Sequence, residues 1–277
     1  MSQSYKSGSL FDIRGIVAVV TGGGSENGAK KVYILGRRRK VLDDAAKEIG
    51  CDNVVPIQCD VTDRQSLKDA VAMIEKDVGF INLLVANSGI AGSSGNVPPD
   101  ASIVQVQDAL LEIPMEEFTN TYHVNCTAVF YTAISFLGLL DKGNRSNYQG
   151  GRSQVIATSS IGSFNRKITA GFAYGTSKSA TTMMLKVLAT YLLPYRIRAN
   201  VLCPGLFPTD LTTSLIQGTD PTIEGAFPLD QIPAERAGRP EDIMGPLLYL
   251  ASRAGAYCNG NCVLTDGGRL SVTPGTY

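Results

Sequence analysis

Tyr174 and Lys178 are the residues of this sequence whose types and spacing point most directly to chemistry. They stand four residues apart at the start of a helical pattern, Tyr-Gly-Thr-Ser-Lys, so both side chains lie on one face of the helix. A lysine ammonium about 4 Å from a phenol favours the phenolate by roughly 4 kcal/mol, or about three pKa units. The spacing predicts a tyrosine that exchanges a proton near neutral pH. A surface Tyr/Lys pair is the simpler alternative.

Ser160 is a second candidate, 14 residues before Tyr174 at the end of the apolar run Gln-Val-Ile-Ala-Thr. Ligands of open α/β sheets bind beyond the carboxyl ends of the strands, where this hydroxyl could hydrogen-bond a substrate oxygen. A hydroxyl that only completes a turn is the alternative for Ser160 taken by itself.

Short β-branched runs alternate with longer helical patterns along the chain, which is typical of a parallel sheet with crossover helices. We predict strands at residues 16–20, 32–35, 54–58, 82–86, 154–158, 198–203 and 261–264. We predict helices at about 39–49, 64–77, 115–140, 172–191 and 241–251, with Asp63 in the cap region of the second. The fold expected is one Rossmann-like, doubly wound α/β domain over residues 1–277, with residues 1–14 as a flexible leader.

Composition restricts the partners and the compartment. The chain has 277 residues, is 44% hydrophobic and carries a formal net charge of zero, which argues against nucleic acid as a partner. One histidine and six scattered cysteines make a metal site unlikely, and the cysteines are expected to be reduced core residues. No stretch approaches 18 continuous apolar residues, so we expect a cytoplasmic protein that does not bind membranes.

Eight short motifs occur in order along the chain. They are TGGGS after the first predicted strand, CDVTD after the third, ANSG after the fourth, HVN in a helix, and then SSIGS, YGTSK, CPGLFPTD and LTDGG. In this order and at these spacings the sequence resembles the classical group of the short-chain dehydrogenase/reductase family over nearly its whole length. The stretches KVYILGRRRKVL and DGGRLSVTPGTY look most like filamentous-fungal members.

The resemblance implies a role for each of four residues. Tyr174 would protonate a carbonyl oxygen during hydride transfer, or deprotonate an alcohol in reverse. Lys178 would lower the pKa of Tyr174 and hold the nicotinamide ribose, while Ser160 would orient the carbonyl. Asn125 of HVN would hold a water that relays protons to Lys178. A helix amide that bonds the backbone is the alternative for Asn125.

The resemblance also implies a cofactor site. Asp60 and Val61 would meet the adenine, although Asp60 could instead be a turn residue, and ANSG replaces the commoner Asn-Asn-Ala-Gly. The residues that it assigns to the cofactor are Gly22, Ser25, Gly28, Arg37, Arg38, Asp60, Val61, Asn87, Gly89, Tyr174, Lys178, Pro204, Gly205 and Thr209.

The end of the second predicted strand indicates which cofactor is bound. Enzymes that use NAD usually have an acidic residue there for the ribose 2′-hydroxyl, while an arginine accommodates a 2′-phosphate. This chain has Gly36 followed by Arg37 and Arg38, with no acid. Guanidinium groups bind phosphate in a bidentate manner, so we predict NADP(H).

The turn after the first predicted strand departs from the family pattern of Thr-Gly, three residues, Gly, one residue and Gly. The chain follows this pattern to Ser25 and resumes at Glu26 with residues that resemble those after the first helix of other members. The simplest account is a deletion of about a dozen residues that should hold the Gly-x-Gly turn and the first helix. The helix N-terminus that should receive the pyrophosphate would then be missing.

Geometry is consistent with this deletion. The 11 residues from Thr21 to Lys31 can return along a strand of roughly 16 Å as an extended loop, but not as a helix with two turns. The second strand is therefore expected to be parallel to the first. Loss of the helix is expected to uncover about 400 Å² of apolar surface, at a cost on the order of 10 kcal/mol.

Three hypotheses for the function remain open. The first is an NADP(H)-dependent oxidoreductase, a ketoreductase of fungal secondary metabolism, that acts on a carbonyl or secondary alcohol of a hydrophobic small molecule. The second is a non-catalytic or cofactor-deficient member of the family that binds a ligand or a partner. The third is a truncated form of the enzyme, produced by splicing or by gene-model error. The intact catalytic set favours the first, and the resemblance implies a homo-oligomer, a dimer or tetramer.

Overall fold

A computed structural model describes residues 7–22, 28–95, 97–146, 148–168, 170–209, 212 and 220–276. Within them, seven strands form one parallel sheet in the order β3-β2-β1-β4-β5-β6-β7. The chain order reverses between β1 and β4, the point at which doubly wound folds bind ligands. The strands are Val17–Thr21 (β1), Lys31–Gly36 (β2), Val54–Gln58 (β3), Leu83–Ala86 (β4), Gln154–Thr158 (β5), Arg198–Pro204 (β6) and Cys262–Thr265 (β7).

The helices of the described residues cover both faces of this sheet. They are Ser7–Leu10 (α1), Arg39–Ile49 (α2), Arg64–Asp77 (α3), Ile103–Leu111 (α4), Met115–Tyr122 (α5), Ala128–Ser135 (α6), Leu137–Gly143 (α7), Phe172–Tyr191 (α8) and Pro240–Ala251 (α9). The cap predicted for α3 is confirmed, because the Asp63 carboxylate accepts from the backbone N–H groups of Gln65 and Ser66. The helix predicted over residues 115–140 is confirmed from Met115 to Ser135, where a π-helical segment, His123–Thr127, joins α5 to α6, and is wrong beyond it, since a 50° bend at Phe136 separates α6 from α7. The helix α4 was not predicted.

Two hydrophobic clusters hold the layers together. On one face, Leu67 of α3, Phe136 beyond α6 and Leu185 of α8 pack with the strands and are fully buried. On the other face, Leu42 of α2 and Leu250 of α9 pack with the same sheet. The strands are buried on both faces, which accounts for their near-continuous apolar sequences.

The connection between β1 and β2 is nine residues long, residues 22–30, and returns the chain parallel to β1 with Val17 paired to Lys31. The predicted parallel return is confirmed, while residues 23–27, which include Ser25 and Glu26, lie outside the described part of the chain. The expected uncovering of the sheet is wrong for Ala18, Ile34 and Val85, which are 4%, 1% and 4% exposed. These strand residues belong to the cluster formed with Ala29, α2 and α9, so neighbouring elements cover this face.

Two further expectations concern the leader and the membrane. In the leader, residues 7–14 contain α1, and Ile13 packs against the second cluster. The predicted flexibility of residues 1–14 remains a prediction. In the described part of the chain, no single helix is long and apolar enough to cross a membrane. The bent pair Met115–Ser135 and Leu137–Gly143 meets that test together, with a 50° bend.

Candidate active site

The ends of β1 and β4 are joined by hydrogen bonds at the carboxyl edge of the sheet. The Thr21 hydroxyl oxygen accepts from the backbone N–H groups of Asn87 and Ser88, at 3.0 and 3.1 Å. Gly22 follows with a φ of 74°, and a Cβ there would lie 3.2 Å from Ser88 Oγ. The Asn87 amide also donates to the Gly22 carbonyl at 3.4 Å. The predicted cofactor residues Gly22 and Asn87 are therefore neighbours at the sheet's switch point.

The ends of β2 and β3 lie next along this edge. Arg37 and Arg38 are exposed directly after β2, and the Gln58 amide donates to the Arg37 carbonyl at 3.0 Å. The Asp60 carboxylate accepts from the Thr62 hydroxyl and N–H, at 2.7 and 2.9 Å. The hydroxyl hydrogen bond is the main cause that lowers the pKa of Asp60, with a smaller contribution from the charge of Arg37. Asp60 therefore makes the hydrogen bonds of a turn residue, and its predicted contact with the adenine stays a prediction. The predicted contact Val61, its neighbour, is buried.

Ser160, Tyr174 and Lys178 come together beyond the end of β5. Tyr174 and Lys178 are one turn apart on α8, with Lys178 Nζ 5.8 Å from the centre of the tyrosine ring. The Ser160 and Tyr174 side chains are neighbours, since a Cβ at Gly162 would lie 3.3 Å from Ser160 Oγ and 3.5 Å from Tyr174 Cε1. Ser160 Oγ accepts from the Gly162 N–H at 3.0 Å. Lys178 Nζ donates to the Thr158 carbonyl at 2.9 Å. The three candidate catalytic side chains therefore share one site.

Burial governs the pKa values of this pair. Burial raises the pKa of Tyr174, and the hydrogen bond from Ser160 opposes that shift only in part. Burial lowers the pKa of Lys178 to about 8. The expectation that Lys178 brings the pKa of Tyr174 toward neutral is wrong for the protein alone, because desolvation disfavours both charged forms.

Asn125 lies in the π-helical segment and is completely buried. Its amide accepts from the Ile90 N–H at 2.8 Å and donates to the Ile90 carbonyl and to Ser177 Oγ, at 2.9 and 3.0 Å. A Cβ at Gly89 would lie 3.1 Å from Asn125 Oδ1 and 3.2 Å from Lys178 Nζ. The amide therefore ties the loop after β4 to α8, as the backbone-bonding alternative expected. The water-relay role remains a prediction.

The ends of β6 and β7 complete the edge. Pro204 ends β6, and the Gly205 N–H donates to the Thr265 carbonyl at 2.9 Å. A Cβ at Gly205 would lie only 2.7 Å from Asp266 Cα, so no side chain fits there. Thr209 follows in an exposed turn.

Residues 13–269 match the family model described as enoyl-(acyl carrier protein) reductase. The chain is 44% identical over 265 residues to the short-chain dehydrogenase/reductase SAT3 of Stachybotrys chartarum, covering 90% of this chain and 97% of SAT3. The chain belongs to the short-chain dehydrogenase/reductase family. PhomF of Diaporthe leptostromiformis, also named a short-chain dehydrogenase/reductase, is 41% identical over 290 residues, covering 100% of this chain and 99% of PhomF. The predicted resemblance to fungal members is confirmed.

Solved structures of similar sequence have the same fold. The structure of Pseudomonas aeruginosa RhlG in an active-site complex with NADP is 26% identical, with a TM-score of 0.76. The match covers 94% of this chain and 98% of the other. The predicted Rossmann-like sheet is thereby confirmed.

In this short-chain dehydrogenase/reductase, Gly28 lies away from the other predicted cofactor residues. A Cβ at Gly28 would be nearest to Ile13 and Arg14, each at 4.0 Å, and the Lys30 N–H donates to the Ile16 carbonyl just before β1. Gly28 is therefore at the amino edge of the sheet, opposite the carboxyl edge. Its assignment to the cofactor is wrong, because nine residues bring the chain back across the sheet before β2. The predicted Ser25 lies outside the described residues.

A cavity of about 320 Å³ opens beside the catalytic candidates. Ser160 and Tyr174 line it together with apolar side chains such as Phe227 and Ile232. Arg269 also lines the cavity and was not found by sequence reasoning. The only local signal was its place directly after the DGG motif, which gives no reason to expect a ligand.

Proposed function

We propose that this chain is an NADP(H)-dependent oxidoreductase that reduces a carbonyl group, or oxidises a secondary alcohol, on a hydrophobic small molecule. Membership of the family supports an oxidoreductase. The observation that carries the reaction type is that Ser160 and Tyr174 line the 320 Å³ cavity, with Lys178 Nζ 5.8 Å from the centre of the Tyr174 ring. That arrangement puts a proton donor, a second hydroxyl and a cation at one point of a mostly apolar pocket.

The residues present fit a nicotinamide cofactor at two places. Gly22 and Gly89 leave space at the carboxyl edge that a Cβ would fill, next to Ser88 and to Lys178. The exposed Arg37 and Arg38 follow β2, where guanidinium groups suit a 2′-phosphate better than a hydroxyl. Similar structures hold either NADP, as RhlG does, or NADH, so the choice of NADP(H) rests on Arg37 and Arg38.

The side chains of the site divide the work of carbonyl reduction. A bound nicotinamide cofactor supplies the hydride. Tyr174, whose pKa is raised by burial, stays protonated and donates its proton to the carbonyl oxygen of the substrate. The Ser160 hydroxyl orients that oxygen. Lys178 would hold the ribose and would return a proton to Tyr174. Asn125 keeps the loop after β4 against Lys178 through its bonds to Ile90.

The short first crossover supports a second candidate, a cofactor-deficient member of the family or a shortened form of the enzyme. Only nine residues separate β1 from β2, too few for a helix of two turns and its connections. The alignment with PhomF runs over 290 residues, more than the 277 of this chain, so PhomF has residues without a counterpart here. We expect this chain to bind the pyrophosphate of the cofactor weakly as a consequence.

An exposed apolar stripe supports assembly into a homo-oligomer. Met183, Val187 and Tyr191 recur every four residues along α8 and are 62%, 53% and 70% exposed. Phe130 and Tyr131 of α6 are exposed as well, and their rings pack edge to face. An apolar stripe of this kind on two helices favours burial against a second copy of the chain.

Replacement of Tyr174 by Phe tests the proposed reaction. Loss of the proton donor is expected to lower kcat for ketone reduction by about 10²- to 10⁴-fold, measured by NADPH consumption over a panel of apolar alkyl and aryl ketones. Affinity for NADPH, measured by fluorescence, should change little. Tyr195→Phe is the matched control, since Tyr195 is 57% exposed beyond α8. Undiminished reduction by Tyr174→Phe would contradict the proposal, and NADPH binding without turnover of any ketone would favour the non-catalytic alternative.

A further inference from the structure

Arg269 is the one charged side chain among the described residues that line the cavity beside Tyr174 and Ser160. The wall around it is mostly apolar, including Ile161 and Phe227, with Gln231 as a polar neighbour. An arginine in such a wall loses solvent, which costs free energy unless its donors find partners.

The chain before Arg269 fixes its position. Arg269 begins a short 3₁₀ helix directly after Gly267 and Gly268, whose φ angles are 61° and 83°. A Cβ at Gly267 would lie 3.0 Å from Ala234, and one at Gly268 would lie 3.1 Å from Pro233. Only glycines permit this turn to pack so closely against the segment that also lines the cavity. The turn therefore holds Arg269 at the cavity wall.

The chain after Arg269 is fixed as well. The Arg166 N–H donates to the Pro274 carbonyl, and the Thr276 N–H donates to the Phe164 carbonyl, both at 2.7 Å. These bonds pair the C-terminal tail with the segment that follows Ser160. Arg269 is thus held in place from both directions along the chain.

The guanidinium of Arg269 has no hydrogen-bond or ion-pair partner in the described part of the chain. Asp266, the acid whose charge acts on Arg269, uses its two carboxylate oxygens to accept from the N–H groups of Gly268 and Leu270, at 3.0 and 2.8 Å. Burial lowers the pKa of Arg269, and the charge of Asp266 opposes this shift. A guanidinium stays protonated at neutral pH all the same. Arg269 therefore presents a positioned cation with free donors to the cavity.

We propose that Arg269 binds a carboxylate on the substrate, so that this chain acts on a hydrophobic oxo acid or hydroxy acid rather than on a neutral ketone. The inference rests on the proposed function, because it assigns the far end of the same substrate. A guanidinium fork matches a carboxylate in a bidentate manner. A single cation in an apolar wall suits a monoanion, whereas a phosphate dianion would call for further positive or N–H groups.

Matched pairs of substrates test this proposal. Straight-chain oxo acids with the carbonyl three to eight carbons from the carboxyl group are compared with their methyl esters, with NADPH as the reductant. We expect the wild type to prefer the best acid over its ester by about tenfold or more in kcat/KM. Arg269→Gln should lose that preference and leave the esters within about threefold of the wild type. Arg253→Gln, an exposed arginine beyond α9, should behave like the wild type.

Binding without turnover separates this proposal from the proposed function. The acids and esters are titrated against the protein by calorimetry in the absence of NADPH. If acids bind to the wild type but not to Arg269→Gln, while no compound is reduced, the inference stands and the reductase proposal fails. Equal binding of acids and esters, or an acid preference that survives in Arg269→Gln, overturns the inference. If Arg269→Gln does not fold, Arg269→Lys keeps the charge without the fork and should reduce the acid preference alone.

Discussion

The site around α8 and the first crossover are built on the same sheet but in opposite ways. Around α8, two of the candidate side chains are bonded to other parts of the chain, Lys178 to the Thr158 carbonyl and Asn125 to Ile90. In the first crossover, only nine residues connect β1 to β2, too few for a helix with two turns. Proton transfer depends on long-range packing, whereas phosphate binding depends on one local helix end. The residues for proton transfer can therefore all be in place while the phosphate-binding helix end is missing.

The sheet itself tolerates the short crossover. Ile34 and Val85 stay buried because α2 and α9 pack against the same face, and Ala29 fills part of it. A shared cover of this kind means that removal of one helix does not expose the strands beneath it. The cost of the shortening is thus expected in cofactor affinity rather than in the fold.

The largest effect is expected from the buried cation around α8, when Lys178 is replaced by Met. The pKa of Lys178 is about 8 in the folded protein, below its ordinary value of 10.5, so between these pH values the unfolded chain binds the extra proton. Wild-type stability should therefore rise from pH 8 to 10.5 relative to Lys178→Met, by about 3 kcal/mol. Below pH 8 the full penalty of burying the charge is present. Urea unfolding at pH 7, 8.5 and 10 measures the difference.

Lys47→Met is the control, because Lys47 is exposed on α2 and should leave the pH dependence unchanged. Loss of the bond from Lys178 to the Thr158 carbonyl shifts the Lys178→Met curve by an amount independent of pH, so the slope is the quantity to compare. If the free energies of unfolding of the wild type and Lys178→Met change with pH in parallel, Lys178 keeps an ordinary pKa. Water would then reach Lys178 despite its packing.

The next effect tests the first crossover directly. A Gly-x-Gly turn and helix of about a dozen residues, inserted between Ser25 and Glu26, would restore a helix N-terminus to the phosphate edge. We expect the Kd for NADPH to fall by about tenfold, and NADPH to bind more tightly than NADH in both proteins because Arg37 and Arg38 are retained. Fluorescence titration measures both cofactors.

An insertion of the same length made of Gly and Ser is the control for this graft, and it should not improve NADPH binding. If the wild type already binds NADPH as tightly as the grafted protein, the short crossover binds the phosphates without a helix N-terminus. The first crossover would then differ from other members of the family in length but not in cofactor binding.

Local sequence signals predicted much of the fold. The bounds of β3, β5, α2, α3 and α8 agree with the prediction because each element has a clear apolar period and, for α3, a side-chain cap at Asp63. The helix α4 was missed although Ser102 and Gln105 form a capping box at its start, a signal that directly follows the Gly- and Pro-rich residues 89–100. The π-helical segment at residues 123–127 was missed because apolar period alone does not distinguish such a segment from an α-helix.

Site residues were predictable only where short-range spacing decides the geometry. Tyr174 and Lys178 share a helix face by spacing, so their approach could be expected. The pKa of Tyr174 could not, because burial by distant segments determines its direction. Gly28 was misplaced because a nine-residue connection decides which edge of the sheet it reaches. Arg269 was missed because its relation to the cavity depends on contacts with residues 232–234, far from it in sequence.

The smallest effect comes from one pair of substitutions that compares the two regions with the same added methyl group. In Gly89→Ala the new Cβ would lie 3.1 Å from Asn125 Oδ1 and 3.2 Å from Lys178 Nζ, so both must move by a few tenths of an ångström. We expect kcat/KM to fall by about tenfold, since small displacements of catalytic groups are costly. In Gly28→Ala no atom lies closer than 4.0 Å, but the φ of 94° strains any other residue. We expect a loss of about 1 kcal/mol in the free energy of unfolding and no change in the Kd for NADPH.

Both variants are measured by steady-state kinetics, urea unfolding and NADPH titration. The loss of activity in Gly89→Ala and the loss of stability in Gly28→Ala should appear in different measurements. Gly89→Ala should lower activity more than stability, since Asn125 and Lys178 can yield without leaving the core. Gly28→Ala should lower stability alone, since its position at the amino edge is separated from the carboxyl edge by the full length of β1. A higher Kd for NADPH in Gly28→Ala, with an unchanged free energy of unfolding, would indicate that Gly28 contacts the cofactor. The connection between β1 and β2 would then contact the phosphates, although the pairing of β2 with β1 puts Gly28 at the opposite edge of the sheet.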